Sequence, residues 1–226
     1  MGDSVERLLK TEFRDRCYLG QLLVRRTDSG NFVICHRDDE TAKEVEHFDK
    51  PESALEIARF DDAGNYRPLK TAPNLRHRWR LTLGGSDELR RALDYFYPGR
   101  LALFVTWKDD LLIVTPLRAT LNRQTGMYRV AAEISDRQID HVVGNFCRSN
   151  GGCLRTILWK RDASGATPSS KLPPEKFDPA SDQLGGLRSA TAVTTIPLLC
   201  QEACNLLVNE CRKTVKMEGV APSAPE

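Results

Sequence analysis

Four cysteines stand in two close pairs, and they are the residues of this sequence best suited to bind a metal. Cys147 and Cys153 form a C-x5-C pair in FCRSNGGCL, and Cys200 and Cys204 form a C-x3-C pair in LLCQEACNLL. Four thiolates suit either a tetrahedral zinc ion or an iron-sulfur cluster. The wide loop containing Gly151-Gly152 favours the cluster, because structural zinc pairs usually enclose only about two to four residues. Zinc and a set of buried thiols without metal remain the alternatives.

The other three cysteines are expected to be small hydrophobic residues of the core. Cys17 and Cys35 lie in apolar, strand-like stretches. Cys211 follows the first cysteine of the C-x3-C pair by eleven residues, a rise of roughly 16 Å along a helix, which is too far for the same four-ligand site. His141 precedes the C-x5-C pair by six residues and is expected to face away from it, at the surface.

Helical patterns are predicted beside both cysteine pairs. Ser135 begins a helix whose apolar face leads into the C-x5-C pair. Pro197 is well placed to open a last helix that runs to about Lys216. That helix would hold the C-x3-C pair on one face, about 6 Å apart along its axis, which suits adjacent corners of a cubane cluster. Residues 161–189, rich in Pro, Ser, Asp and Gly, are predicted to form a long loop.

The remaining patterns predict an α+β protein. A turn at Thr27–Gly30 indicates a β-hairpin, and a short helix after Pro51 completes a small module over residues 1–75. A second α+β domain, residues 76–217, begins with a helix near Ser86. The apolar runs 101–107 and 111–117 predict a hairpin, and residues 127–134 predict a third strand. Residues 218–226 are predicted to be a disordered tail.

Composition excludes several classes of function. The chain of 226 residues has 33 Lys and Arg against 31 Asp and Glu, so its net charge of +2 gives no general attraction to nucleic acid or to an anionic membrane. No apolar run approaches the roughly 20 residues of a membrane span, and no secretion signal is recognisable. We therefore expect a cytoplasmic location, where cysteines are more often metal ligands or buried hydrophobes than disulfides. The Ser-His-Asp order, the phosphate loop and the dinucleotide fingerprint are all missing from the sequence.

Two arginine-rich segments are candidates for binding anions. Arg123 and Arg129 flank a polar stretch with a flexible glycine, and Arg155 follows the C-x5-C pair closely enough to join them. A hairpin turn is the simpler explanation of the 123–129 stretch. In the RHRWR segment at 76–80, a solvated strand with one core aromatic is favoured over a phosphate or propionate site.

The cysteine pattern carries two resemblances to known families. The order C-x5-C then C-x3-C is similar to that of sulfite and nitrite reductases, but only the spacing matches. A closer resemblance, from about Trp79 to Lys216, is to a 4Fe-4S cluster-binding domain family of deinococcal type. The similar segments are ALDYFYPG (92–99), LNRQTGMYR (121–129), CRSNGGCLRTILW (147–159) and IPLLCQEACNLLV (196–208).

In that family the domain accompanies a small stabilising domain and a sirohydrochlorin cobaltochelatase-like domain. The resemblance implies that residues 1–75 are the stabilising module and that the four paired cysteines hold one 4Fe-4S cluster. It also implies a link to tetrapyrroles, with Arg123, Arg129 and Arg155 receiving carboxylates. The sequence contains no stretch that resembles the chelatase domain, so the resemblance implies a cluster but not chelatase activity, and a chelatase partner would be a separate chain.

Two functional hypotheses follow. In the first, the chain is an electron-transfer or accessory iron-sulfur protein of tetrapyrrole metabolism. In the second, the metal, whether cluster or zinc, is a structural staple in a module that binds other proteins. The sequence does not decide whether the chain is an enzyme.

Overall fold

The computed structural model describes residues 2–13, 16–148, 152–165 and 195–218. These residues separate into two compact units. The first comprises the described residues up to 112 together with 195–199, and the second comprises those from 113 to 165 together with 200–218. Helices and a mixed sheet are both present, which confirms the predicted α+β class.

The helices and strands are numbered here in chain order. The helices are α1 (Gly2–Glu12), α2 (Ser53–Ile57), α3 (Ser86–Phe96), α4 (Arg100–Lys108), α5 (Leu117–Asn122), α6 (Asp136–Val143) and α7 (Asn205–Glu218). The strands are β1 (Arg16–Leu19), β2 (Leu22–Arg26), β3 (Phe32–His36), β4 (Glu46–Phe48), β5 (Trp79–Leu83), β6 (Thr156–Ile157), β7 (Thr195–Ile196) and β8 (Leu199–Cys200). Two 3-10 helices, Arg37–Asp39 and Gly126–Glu133, and a π-helical turn, Gly144–Arg148, complete the regular structure of the described residues.

The first unit is built on a six-stranded sheet with the order β4-β5-β3-β2-β1-β7. The predicted turn at 27–30 joins β2 to β3, which pair antiparallel, so this hairpin is confirmed. The apolar stretch before it is two strands, because the chain reverses between Leu19 and Leu22. Gly20 permits that reversal with a φ of +57°, where a side chain would be strained. The Gln21 backbone N–H donates to the Tyr97 hydroxyl at 3.0 Å and fixes the turn.

The compact unit extends to residue 112, farther than the predicted boundary after residue 75. The physical reason is β5, which pairs with β3 on one side and with β4 on the other. Trp79 of β5 is fully buried and stacks on Phe96 of α3, with ring centroids 5.1 Å apart. The expectation of one core aromatic in the RHRWR segment is therefore confirmed.

The predicted hairpin at 101–117 is wrong. Residues 100–108 form α4 instead, because Leu101, Phe104 and Val105 are buried at helical rather than alternating spacing. Residues 111–116 have no regular structure, and Ile113 is 82% exposed, so no strand face forms there. The predicted strand at 127–134 is wrong as well, since Gly126–Glu133 is a 3-10 helix.

The second unit packs α5, α6, α7 and the longer 3-10 helix around one apolar core. Trp159, Ile139 and Val143 are buried at its centre, together with Leu207 of α7. The start of α6 is the predicted one: the Ser135 side chain accepts from the Gln138 N–H in a reciprocal capping box.

The last helix begins at Asn205, not near Pro197 as predicted. Cys200 belongs to β8 and accepts a hydrogen bond from the Leu158 N–H at 3.0 Å, while the next carbonyl, of Gln201, accepts from the Thr115 N–H. These carbonyls are bonded to other segments of the chain and not within a helix, so the backbone is extended there. The prediction that Cys200 and Cys204 share a helix face is therefore wrong.

The other cysteines behave as core residues, as expected. Cys17, Cys35 and Cys211 are buried, and burial raises the pKa of Cys17 and of Cys211 to about 12. No disulfide joins any of the seven cysteines. Most of the predicted loop at 161–189 and nearly all of the predicted tail lie outside the described residues. Among the helices that are described, none has the length and apolar character needed to cross a membrane.

Candidate metal centre

The cysteines of both pairs line a single cavity in the second unit. Cys147, Cys153 and Cys200 are buried and Cys204 is half-buried. The rest of the described lining is mostly apolar and comprises Phe146, Ile157, Trp159, Ala203 and Leu207, and Arg155 is the one charged side chain among these described residues. The fold therefore brings together the four residues that the sequence singled out.

The C-x5-C pair is positioned by α6 and the turn that follows it. The apolar face of α6 packs into the core and continues into the π-helical turn Gly144–Arg148, which carries Cys147. The Cys153 N–H donates to the Cys147 carbonyl at 3.2 Å. This bond closes the loop between the two cysteines and keeps both at the cavity.

The C-x3-C pair lies on either side of the turn between β8 and α7. The Val208 N–H donates to the Cys204 carbonyl at 3.0 Å, so Cys204 is the residue at which α7 starts. Cys204 therefore lies at the positive end of the helix dipole. Glu202, inside the turn, forms an ion pair with Arg123 and thereby ties the turn to the end of α5.

Arg155 and Trp159 donate hydrogen bonds to cysteine sulfurs. The Arg155 Nε donates to the Cys153 Sγ at 3.2 Å, and the Trp159 Nε1 donates to the Cys200 Sγ at 3.4 Å. Such N–H···S bonds favour a charged sulfur and are among the features that set the potential of iron-sulfur clusters.

The electrostatics of the cavity favour a bound cation. Burial raises the pKa of Cys147 well above its ordinary value, the other three cysteines raise it further, and Arg155 opposes them. Burial also raises the pKa of Cys200. Although burial lowers the pKa of Arg155, the surrounding cysteines raise it overall, so the guanidinium stays charged. Four ionised thiolates are therefore costly in this cavity unless a positively charged metal group accompanies them.

The spacing of the sulfurs fits a cluster better than a single zinc ion. Within the described residues, no three of the four sulfurs lie within 4.8 Å of one another. In a tetrahedral zinc site the sulfurs lie about 2.3 Å from the metal and hence roughly 3.8 Å from one another. A cubane is held at four separate corners and requires a wider set of thiolates. The donor set therefore fits a 4Fe-4S group.

The three arginines predicted to bind an anion occupy different places. Arg155 lies in the cavity. Arg123 is about half exposed and pairs with Glu202, which lies in the turn between Cys200 and Cys204. Arg129 is exposed and does not line the cavity. Their role in binding carboxylates stays a prediction. His141 is exposed and contacts the Asn145 side chain, as expected of a surface histidine.

Sequence reasoning missed the role of Trp159 and the helix start at Cys204. Trp159 belongs to the apolar run after Cys153, and its indole N–H could have been recognised as a donor in need of a buried partner. The start of α7 at Cys204 was missed because proline is common at the first position of a helix, so Pro197 favoured a start seven residues earlier.

Comparison with known proteins agrees with this geometry. Residues 109–213 match the family model described as a 4Fe-4S iron-sulfur cluster binding domain. Residues 5–107 match the model of the DR2241 stabilising domain. The two matches follow one another along the chain, and the resemblance found in the sequence is confirmed.

A solved structure resembles nearly the whole chain. It is DR2241 from Deinococcus radiodurans, described as a multi-domain protein with structural similarity to chelatases and with two additional novel domains. The identity is 25% and the TM-score 0.71, over 96% of this chain but only 41% of that protein. The chain therefore spans about two fifths of its length. No protein among the curated sequences matches.

Proposed function

We propose that Cys147, Cys153, Cys200 and Cys204 hold one 4Fe-4S cluster and that the protein is a cytoplasmic electron-transfer or accessory protein. The observation that carries this proposal is the convergence of two cysteine pairs, distant in sequence, on one cavity whose wall also contains the Arg155 guanidinium. A bound cluster of this kind exchanges one electron at a time.

The protein's own residues would set the properties of that group. Trp159 and Arg155 donate hydrogen bonds to two of the sulfurs, and the guanidinium adds a positive charge inside the cavity. The apolar wall, with Phe146 and Leu207, limits the access of water. The two hydrogen bonds and the positive charge favour the more negatively charged, reduced state, whereas the apolar wall disfavours it by reducing solvation.

Anaerobic purification followed by iron, sulfide and zinc analysis tests the ligand assignment. We expect about four iron and four sulfide per chain. Serine in place of any one of the four ligands should lower that content and destabilise the second unit, because ligand binding free energy is also folding free energy. Cys211→Ser is the matched control, since Cys211 lies in the same core but does not line the cavity. Full iron in Cys204→Ser with loss in Cys211→Ser would show that the fourth ligand is wrongly assigned.

The rival function is a purely structural one. The two cysteine pairs join the turn after α6 to the start of α7, so a metal bound there would staple those segments together whether or not it carries electrons. Reversible reduction of the purified brown protein, followed by electron paramagnetic resonance, supports electron transfer. A colourless protein with one zinc per chain supports the staple.

We further propose that the cluster works with an anionic tetrapyrrole or with a separate chelatase-like protein. Support comes from the chelatase similarity stated for DR2241 and from the position of Arg123 beside the cysteine turn, since guanidinium groups bind carboxylates in bidentate fashion.

Titration of sirohydrochlorin into cluster-loaded protein tests this second proposal. We expect saturable binding that Arg123→Ala weakens and that Arg90→Ala, an exposed arginine of α3, leaves unchanged. If the intact protein binds no tetrapyrrole, with or without a chelatase, the tetrapyrrole proposal fails while the cluster proposal stands.

A further inference from the structure

Two histidines and an aspartate meet in the first unit, where β3 ends beside the start of β5. His36 ends β3, Asp39 lies in the 3-10 helix that follows, and His77 precedes β5. The antiparallel pairing of β3 with β5 brings these segments together. One ligand atom from each of the three residues lies within 4.8 Å of the other two, a grouping found at no other place in the described residues.

This cluster is largely buried and already ordered. The His36 side chain is fully buried, Asp39 is 9% exposed, and the two imidazole centroids are only 3.8 Å apart. The Asp39 Oδ1 lies 3.3 Å from the His77 Nδ1, and its Oδ2 accepts the Arg78 N–H at 2.5 Å. His77, about one third exposed, leaves an approach from solvent.

The protein does not fully satisfy the His36 ring. The Asp38 N–H contacts its Nδ1 at 3.2 Å, and the Gln21 amide nitrogen contacts its Nε2 at 3.0 Å. The Gln21 amide oxygen accepts the Leu75 N–H, so the amide presents its nitrogen to the ring. A neutral imidazole has only one acceptor nitrogen, and a protonated one has none. Two N–H donors therefore face a ring that can accept only one hydrogen bond. A metal that binds the lone pair of that one acceptor nitrogen would displace a single hydrogen bond.

The ligand types also suit a metal. Two imidazoles and one carboxylate are ligands that zinc and similar divalent transition metals accept.

We propose that His36, Asp39 and His77 form a second metal site, separate from the cysteine cavity, that binds one divalent transition-metal ion of the zinc class. Three protein ligands leave at least one position for water, as in open zinc sites. The Arg78 N–H donates to the Asp39 carboxylate and holds it in place. Groups that hydrogen-bond to a metal ligand usually orient that ligand in this way.

Equilibrium dialysis of the full chain against Co²⁺ tests the proposal, with the cysteine site filled by its own cluster and bound cobalt measured by elemental analysis. The key variant is His77→Gln, which is partly exposed and should fold. The matched control is His47→Gln, an exposed histidine of β4 in the same unit. A second variant, Asp39→Asn, keeps an oxygen for the Arg78 N–H but removes the charge.

We expect one cobalt per chain in the intact protein and in His47→Gln. His77→Gln and Asp39→Asn should bind at least about tenfold more weakly, since loss of even an outer-shell partner has that effect. Added Zn²⁺ should raise the thermal midpoint of the intact protein and of His47→Gln but not of His77→Gln, because a ligand that binds only the folded state stabilises it. No cobalt on the intact protein, or equal binding by the two histidine variants, overturns the proposal.

Discussion

Replacing Arg155 by Gln should make the reduction potential of the bound cluster distinctly more negative. The Arg155 Nε lies 3.2 Å from the Cys153 Sγ. Gln keeps a hydrogen-bond donor at this position but removes the positive charge that Arg155 brings to the cavity wall. An electron taken up by the cluster is stabilised by that charge, so its loss favours the oxidised state.

The magnitude follows from Coulomb's law. Two unit charges about 4 Å apart interact by about 4 kcal/mol at an effective dielectric constant of about 20. The added electron is spread over the whole cluster, so roughly half of that, about 2 kcal/mol, is the working figure. With about 59 mV for each tenfold change in a one-electron equilibrium, the expected shift is roughly 90 mV.

Redox titration monitored by visible absorbance or electron paramagnetic resonance measures the shift. Arg129→Gln is the matched control, because it makes the same charge change at an exposed position that does not line the cavity. If the two variants have equal potentials, the guanidinium does not act on the cluster and the reasoning is wrong.

Three further outcomes are expected. Trp159→Phe, which removes the indole N–H donor to a cysteine sulfur, should lower the potential by less than the loss of the guanidinium and reduce stability by about 1 kcal/mol; an unchanged potential would contradict the hydrogen bond. Gly20→Ala should destabilise the first unit by at least about 1 kcal/mol in chemical denaturation, since φ is +57° and the new Cβ would lie 2.9 Å from the Tyr97 hydroxyl. A hydrogen bond from Arg118 holds the pKa of Asp136 below 3.8, so its stabilising effect is full above that pH and disappears as the pH falls through the lowered pKa. Thermal midpoints of the intact protein and Asp136→Asn should therefore converge in acid, and a constant difference would refute the assignment.

Local signals in the sequence predicted those elements whose residues are fixed by neighbours along the chain. The β2-β3 hairpin follows from its turn residues, and the start of α6 follows from the capping box at Ser135. The hairpin expected at 101–117 failed because a short apolar run has no clear period. Only burial of Leu101, Phe104 and Val105 together shows that the run is a helix.

The sequence by itself determined which residues are available for a metal: two cysteine pairs with spacings that suit a cluster. Tertiary structure decided how they are presented, with Cys200 on a strand and Cys204 at a helix start, because hydrogen bonds from the Leu158 and Thr115 N–H groups engage the Cys200 and Gln201 carbonyls outside any helix. It also revealed the side chains that donate hydrogen bonds to the cysteine sulfurs. The cluster of His36, Asp39 and His77 emerged only there too, because His36 and His77 are 41 residues apart in the sequence. Side-chain proximity of that kind depends on strand pairing, which no local pattern in the sequence encodes.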